Sequence, residues 1–430
     1  MKVSYHSLGC KVNLYESEAI VNQFIDNGFE LGDFNDECDV YIINTCSVTS
    51  VSDAKSRKII RQAIKRNDNA VVAVMGCYAQ LKPEDIKEIE GVDVLVGTNN
   101  RHLLYPLVMK TIESKHGNTI VEDILSVKEY EEVKINRYNN KTRGFVKIQD
   151  GCDNYCSYCT IPYARGHVRS RKKEDVISEI QILAAHGMKE IILTGINTAS
   201  YGSDFDGYDF ADLLEDIVKK VKGKIRLRIS SIEVTEITDK LIKVIKDNEE
   251  YFCRHFHIPL QGGADSTLKR MYRKYNLDFY KNKINLLRQY FPNVNITTDI
   301  MVGFSGETDQ DYNDTLDFVR NIQFGDIHVF PYSRRPETKA YNFPDIVNNV
   351  TKQFRVNKLI NVNEKEALKY RESFVGKTVD VIIEKVQNNI AFGHSSEYLE
   401  VKFTGDVKQN DLVKVEIIEA GYPLSKGVLV

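Results

Sequence analysis

The sequence predicts an α/β protein in three parts: an N-terminal Rossmann-like parallel sheet, a central partial barrel of six βα units, and a small all-β barrel at the C-terminus. Three observations predict it. From Met1 to about Ile112, strand-length apolar runs alternate with amphipathic helical stretches, the rhythm of a parallel sheet covered by helices. The same rhythm restarts at Arg143 and runs to about Arg371. Beyond Glu372 the helical period vanishes, and short β-type runs divided by Gly, Asn and Asp replace it.

In the first part the strands read Val3–Ser7, Asp39–Asn44, Ala70–Met75 and Val92–Val96, with helices over Ser17–Asn27 and Val51–Arg66 between them. The polar stretch 116–141, through His116, Gly117 and Asn118 to Asn139, Asn140 and Lys141, reads as a linker. The second part, 142–370, offers the strands Gly144–Gln149, Glu190–Thr194, Ile225–Ser230, Phe256–Leu260, Val294–Val302 and Ile327–Pro331. Helical stretches such as Glu174–Ala185, Phe210–Val221 and Asp309–Ile322 separate them. Six units are too few for a closed eight-stranded barrel and suit an open one, with functional residues at the carboxyl ends of the strands. In the third part, 371–430, the strands read Lys377–Lys385, Leu399–Phe403, Leu412–Ile418 and Gly427–Val430. The domains are therefore expected at 1–115, 142–370 and 371–430.

With 58 Lys plus Arg against 61 Asp plus Glu, the net charge of −3 excludes a polycationic coat for nucleic acid but not a local basic face. No apolar run reaches the length of a membrane span, and the opening MKVSYHSLGC lacks the apolar stretch of a secretory signal. The expectation is a cytoplasmic protein without a membrane segment. Eight cysteines in such a chain point to metal or catalytic use rather than to a disulfide framework.

Cys152, Cys156 and Cys159 form C-x3-C-x2-C in GCDNYCSYC, just past the first strand of the second part. Zinc sites usually draw four ligands from pairs of cysteines, and no second pair follows. Three thiolates suit an iron–sulfur cluster that keeps one iron open for a substrate or cofactor. A zinc site or a structural loop is the alternative. Cys10, Cys46 and Cys77 lie far apart in sequence, yet each follows one of the first three strands, in SYHSLGC, VYIINTC and VVAVMGC. The carboxyl ends of parallel strands share one edge, the edge where such sheets bind ligands, so the three converge into a second metal site. Cys38 and Cys253 fall outside both sets and read as structural.

The motifs LGCKVNLYESE, NTCSVT, MGCYAQ, CDNYCSYCTIPYARG, HIPLQ, TDIMVGFSGET and PYSRR together resemble the radical S-adenosylmethionine (SAM) methylthiotransferase family over essentially the whole chain. Ser305, where the family often has Pro, and Glu337, where it often has Gly, are mild departures. The resemblance implies a radical SAM barrel in the middle and a TRAM-like nucleic-acid-binding barrel at the end. It also implies two [4Fe–4S] clusters, each on three cysteines, with SAM as methyl donor and as radical source. GCKVN followed by YES resembles the members that methylthiolate threonylcarbamoyladenosine at position 37 of tRNA. Isopentenyladenosine enzymes more often read GCQMN, and enzymes of a ribosomal-protein aspartate read GC-x-KN.

The same resemblance directs attention to Tyr158, Gly195, Asn197, Ser230, Glu233, Gln261 and Asp299 as contacts for SAM or substrate at successive strand ends. His255 and His257 read as structural, with one of them facing the barrel interior. Lys11, Arg165, Arg169 and Arg335 are candidates for the substrate carboxylate. Two basic runs suggest phosphate contact: Lys55, Arg57, Lys58, Arg61, Lys65 and Arg66 on one helix, and Arg165, Arg169, Arg171, Lys172 and Lys173 after the cysteine loop. The implied partners are a tRNA anticodon stem-loop and an electron donor of the flavodoxin or ferredoxin kind. The rival readings are the isopentenyladenosine or ribosomal-protein substrate and, in another class, a non-catalytic RNA-binding iron–sulfur redox sensor.

Overall fold

The computed structural model describes residues 1–138, 142–221 and 225–430, so the expected linker end at Asn139, Asn140 and Lys141 lies outside the described residues. The chain forms two compact units. One comprises Met1–Tyr138, Lys147–Glu179 and Ser333–Tyr341; the other comprises Asn139–Val146, Ile180–Tyr332 and Asn342–Val430. The first unit thus gathers the cysteine loop of the second part with the N-terminal sheet.

The sheet of the first unit has six strands: β1 (Lys2–Ser7), β2 (Glu30–Leu31), β3 (Val40–Thr45), β4 (Val71–Gly76), β5 (Val94–Val96) and β6 (Asn118–Ile120). Their order is β2-β1-β3-β4-β5-β6, and every pairing is parallel. β3 and β4 are buried at every residue, as continuous apolar runs covered on both faces must be. Tyr41, Ile43, Val72, Val74 and Leu95 pack against Ile60 and Ala63 of the helix Ser50–Ile64.

Part of the expected linker is built into this unit. Residues 118–120 add the sixth strand beside β5, and Ile124, Val133 and Ile135 are buried. Polarity on average concealed apolar residues at the few positions that anchor the segment.

In the second unit, six strands follow in chain order, in two hydrogen-bonded sets. Arg143–Lys147, Glu190–Thr194 and Arg226–Ile229 form one set; His255–His257, Asn295–Val302 and Asp326–Pro331 form the other. The isolated parallel bridges Leu227↔Phe252 and Ser231↔His257 join the two. This is the open partial barrel expected.

The C-terminal residues close into a five-stranded barrel of Thr378–Gln387, Ile390–Ser395, Glu400–Thr404, Leu412–Glu419 and Leu424–Leu429 around Val381, Ile383, Val401, Phe403, Val415 and Ile417. Ile390–Ser395 is the strand the sequence concealed, because Gly393 reads as a breaker. A side chain at Gly393 would instead collide with the Ile382 carbonyl of the neighbouring strand.

This small barrel seals the amino ends of the parallel strands. Arg226 and Arg228 donate to the carbonyls of Asp380, His394, Ser395 and Ser396, while the Nε of each donates to buried Glu190 at 2.5 and 2.8 Å. Asn295 donates to the Glu397 carbonyl at 2.7 Å, and the Tyr398 ring stacks on His255 at 4.8 Å. Among the described residues no helix is long and apolar enough to cross a membrane.

Candidate functional site

β1, β3 and β4 end level. Ser7 pairs with Asn44, Asn44 with Met75, and Thr45 with Gly76. Cys10 caps the helix Lys11–Asp26, Cys46 follows β3 directly, and Cys77 opens the helix Cys77–Leu81. The strand order reverses between β1 and β3, so Cys10 and Cys46 flank the crevice where open α/β sheets bind ligands.

The other motif residues shape this corner. Asn13 donates to the carbonyls of Leu8 and Thr45 at 2.8 and 3.0 Å, and Asn44 donates to the Asn13 carbonyl at 2.9 Å. Thr45 ties β3 to the Met75 carbonyl at 2.7 Å and accepts the Ala79 N–H. Gly9 has φ +95°, and a Cβ there would lie 2.9 Å from both Cβ and Sγ of Cys46. The backbone leaves a cradle that any side chain would fill.

The three thiols carry no disulfide; Cys46 and Cys77 are buried and Cys10 is exposed. Burial pushes the Cys77 thiol up to about 12, against the pull of Arg165, with Cys46 and Cys10 adding to the rise. A thiol so placed ionises when a metal takes the charge.

Beside it lies a buried charge set. Glu16 accepts from Arg101, from Lys147 at 2.8 Å and from Arg165 at 2.5 Å. Asp150 accepts from Lys147 at 2.5 Å and from Arg165 at 3.3 Å, with Arg169 at 3.9 Å; Glu131 pairs with Arg101 at 2.8 Å. Among the described residues four cations thus face three carboxylates. Burial and the neighbouring Arg101 pull Lys147 down, as expected where cations are in excess. A [4Fe–4S] core in its oxidised state on three thiolates carries one net negative charge, so the donor set and its surroundings fit such a group.

The second trio of thiols sits on the loop between the short strand Gln149–Asp150 and the helix Ile161–Arg165. Cys152, Cys156 and Cys159 carry no disulfide and are half-buried. The Cys152 N–H bonds the Gly166 carbonyl at 3.0 Å, and the Cys159 N–H bonds that of Cys156 at 3.0 Å. Gly151 has φ +76°, with the His167 carbonyl where a side chain would stand. Tyr158, between two of the cysteines, is half-buried, and the Ala340 N–H holds the loop at the Ser157 carbonyl at 2.8 Å.

The remaining cofactor candidates belong to the second unit. Gly195 and Asn197 follow Glu190–Thr194, and Asn197 donates to Glu236 Oε1 at 2.7 Å. Ser230 is buried at the end of Arg226–Ile229. Glu233 accepts from Arg273 at 2.7 Å on both oxygens. Gln261 has φ +68°, and its Oε1 is buried with no partner among the described residues.

Asp299 lies within its strand, three residues before the end, and is met by His257 at 3.3 Å and His328 at 3.1 Å. Their hydrogen bonds overcome burial and hold its carboxyl well below the usual range. His328 was invisible as a site residue in the sequence, where HVF reads as ordinary strand. His255 and His257 both contact Thr297 Oγ1, at 2.8 and 2.9 Å, so they share one face. The expectation that only one faces inward is corrected by the two-residue period of a strand.

The basic residues also require correction. Arg165, Arg169 and Arg171 do not project toward solvent as a phosphate footprint; all three are buried. Arg171 pairs with Glu132 and, at 2.6 Å, with Glu179. Arg335 is buried against Asp53 at 2.7 Å and Ser47 at 2.9 Å. Their charges are met by carboxylates distant in sequence. Lys11 is half-buried at the start of its helix, while Lys55, Lys58, Arg61, Lys65 and Lys172 are exposed.

Comparison with known proteins accords with this arrangement. Residues 146–319 match the radical SAM superfamily, and residues 2–97 match "Uncharacterized protein family UPF0004". The chain is 41% identical to the threonylcarbamoyladenosine tRNA methylthiotransferase MtaB of Bacillus subtilis, covering 100% of this chain and 96% of that one. It is 34% identical to the protein of the same name from Aquifex aeolicus, over 97% and 100% of the two chains. It is 35% identical to the tRNA-2-methylthio-N(6)-dimethylallyladenosine synthase of Thermoanaerobacter pseudethanolicus, over 99% and 92%. Among solved structures, the radical SAM methyltransferase TsrM of Kitasatospora setae shares the fold at TM-score 0.60 and 15% identity, over 79% of this chain and 76% of that one. The cofactors of the radical SAM class are SAM and a [4Fe–4S] cluster, and this chain belongs to the methylthiotransferase family of radical SAM enzymes.

Proposed function

We propose that the chain converts N6-threonylcarbamoyladenosine at position 37 of tRNA to its 2-methylthio derivative, with SAM as both methyl donor and radical source. The observation that carries this reading is the level ending of β1, β3 and β4, which brings Cys10, Cys46 and Cys77 to one edge of the sheet in a chain that holds a separate C-x3-C-x2-C loop. On this reading Cys152, Cys156 and Cys159 hold one [4Fe–4S] cluster and Cys10, Cys46 and Cys77 hold a second. Bound there, these groups and SAM supply the radical and sulfur-delivery chemistry that a non-acidic aromatic C–H bond requires.

The chain's own groups bind and orient. In the second unit Gly195, Asn197, Ser230 and Gln261 are the proposed backbone and side-chain partners for SAM and substrate, the buried Oε1 of Gln261 foremost; in the first unit Tyr158 is the candidate, by its place between two cysteines. Asp299 is an ionised acceptor already oriented by two histidines. Glu233, matched by Arg273, orients its loop. Arg165, Arg169 and Arg335 each meet internal carboxylates, and Lys11 is the residue proposed for the carboxylate of the threonylcarbamoyl group because it follows a cysteine of the trio by one position. A site that pairs such a group rejects the apolar isopentenyl analogue, which brings no charge or hydrogen-bonding group to it.

The exposed Lys55, Lys58, Arg61 and Lys65 meet phosphates of the anticodon stem-loop, and the 371–430 barrel, where acidic residues outnumber lysines, adds shape and stacking. The functional domains are 1–115, 142–370 and 371–430, the protein works in the cytoplasm, and a flavodoxin or ferredoxin supplies electrons. Mass spectrometry of nucleosides from a deletion strain tests the reading. Loss of 2-methylthio-threonylcarbamoyladenosine with retention of its unmethylthiolated parent is expected. Loss of the isopentenyl analogue instead would overturn it.

A further inference from the structure

We infer that Arg165 is a positioning residue for the group held by Cys10, Cys46 and Cys77: it donates to the Cys77 sulfur and sets the reduction potential of that centre. The inference rests on the second cluster proposed above. Arg165 stands six residues after Cys159, at the end of the helix that follows the other cysteine loop. Yet its Nε lies 3.4 Å from the sulfur of Cys77. Its Nη2 donates at 2.6 Å to Asn13 Oδ1, which also faces the Cys10 sulfur at 3.7 Å. One guanidinium therefore touches a thiol of the trio and the side chain that accepts from another.

The opposite edge is clamped. Nη1 reaches Glu16 at 2.5 Å and Asp150 at 3.3 Å, and the residue has no exposed surface. A guanidinium stays charged under any folding condition, and its planar fork can serve sulfur, amide and carboxylate at once. The set around it, Arg101, Lys147, Arg165 and Arg169 against Glu16, Glu131 and Asp150, holds one more cation than anion among the described residues. Net charge and hydrogen bonds to sulfur are the levers by which a protein tunes an iron–sulfur cluster. Adding one electron makes the cluster more negative, so an N–H donor and a surplus positive charge beside Cys77 favour the reduced state. The same residue links this centre to Asp150, two positions before Cys152, so neither cysteine site can shift without straining the other.

The test uses the full chain with Cys152, Cys156 and Cys159 changed to Ala, reconstituted anaerobically so that only the second centre holds iron. Dithionite titration followed by electron paramagnetic resonance reads its potential. Arg165→Gln should lower the reduced-to-oxidised ratio at fixed potential about tenfold, equivalent to about 59 mV for one electron. Arg165→Lys, which keeps the charge but not the fork, should lower it less. Arg101→Gln, which removes a charge that does not touch sulfur, should also have the smaller effect. With Arg165 retained and arginine labelled with 15N, pulsed resonance should detect a nitrogen coupled to the cluster, a readout that needs no substitution to fold. An unchanged potential in Arg165→Gln, or no coupling from labelled arginine, overturns the inference. A merely structural role would reduce the yield of cluster and leave the potential of what forms unmoved. Absence of any cluster in the chain with Arg165 retained would instead refute the second-cluster reading itself.

Discussion

Replacing Gly9 with alanine tests the cradle at its narrowest point. At φ +95° an L-residue incurs a penalty of the order of 1–2 kcal/mol for left-handed backbone. The new Cβ would stand 2.9 Å from both Cβ and Sγ of Cys46. Ordinary carbon contacts lie at about 3.5–4.0 Å, so roughly 0.6–1 Å must be recovered by moving the loop or the cysteine. Metal–ligand distances tolerate only about ±0.2 Å, which is several times smaller than that shift.

Gly9→Ala should therefore lose the second cluster while keeping the first. Iron after anaerobic reconstitution should fall from about eight to about four atoms per chain. Gly28→Ala is the control, since φ is +88° there and nothing lies within 4 Å of the added carbon. Both variants should melt at a lower temperature, and only Gly9→Ala should lose iron. Iron near eight in Gly9→Ala, with the wild-type resonance spectrum, would refute the idea that this glycine exists to admit Cys46.

Three further outcomes follow from the same geometry. Changing Cys152, Cys156 and Cys159 to Ala should leave about four irons per chain and abolish reductive cleavage of SAM, read as 5′-deoxyadenosine by chromatography. Changing Cys10, Cys46 and Cys77 to Ala should instead spare that cleavage and abolish methylthiolation, read by nucleoside mass spectrometry. Burial raises the Glu236 carboxyl to about 7 despite hydrogen bonds from Ser200 and Asn197. An acid whose folded pKa is raised contributes its full stability below the unfolded value, and loses it as pH climbs toward and through 7. Glu236→Gln should flatten the decline in thermal stability between about pH 5 and pH 8, and an unchanged slope would exclude Glu236 as its source.

The convergence of three cysteines at one sheet edge was legible because its information is local. Each of Cys10, Cys46 and Cys77 follows an apolar run, and parallel pairing of β1, β3 and β4 does the rest. The arginines were illegible for the opposite reason. Arg165 reads as a surface cation in a basic stretch and Arg335 as a partner for the substrate carboxylate, while their observed partners Glu16 and Asp53 lie in other parts of the chain. Sequence reveals a charge but not whether a carboxylate waits for it in the interior. Asn118–Ile120 was lost in a polar stretch, because a three-residue edge strand carries too little pattern to show a period. Gln261 and Asp299 were proposed from strand ends, though Asp299 lies three residues inside its strand, and His328 required the register that sets it opposite Asp299.

The arginine-to-carbonyl seam beneath the parallel strands has a consequence for how this protein can be divided. Arg226 and Arg228 spend their outer N–H groups on main-chain oxygens of the small barrel, a kind of partner that does not depend on which side chains that barrel displays. The terminal module can therefore diverge at its other positions, and in whatever it grips, provided it keeps its backbone path at 380 and 394–396 and the Tyr398 and Glu384 side chains that also meet the parallel strands. It is not free to be lost. Truncation would leave two guanidinium groups and the stacked His255 without their covers, turning an interior floor into raw surface. The unit of inheritance here is the pair of barrels together, and a shortened chain ending near residue 370 would be a different, poorer folding problem rather than the same enzyme without an accessory.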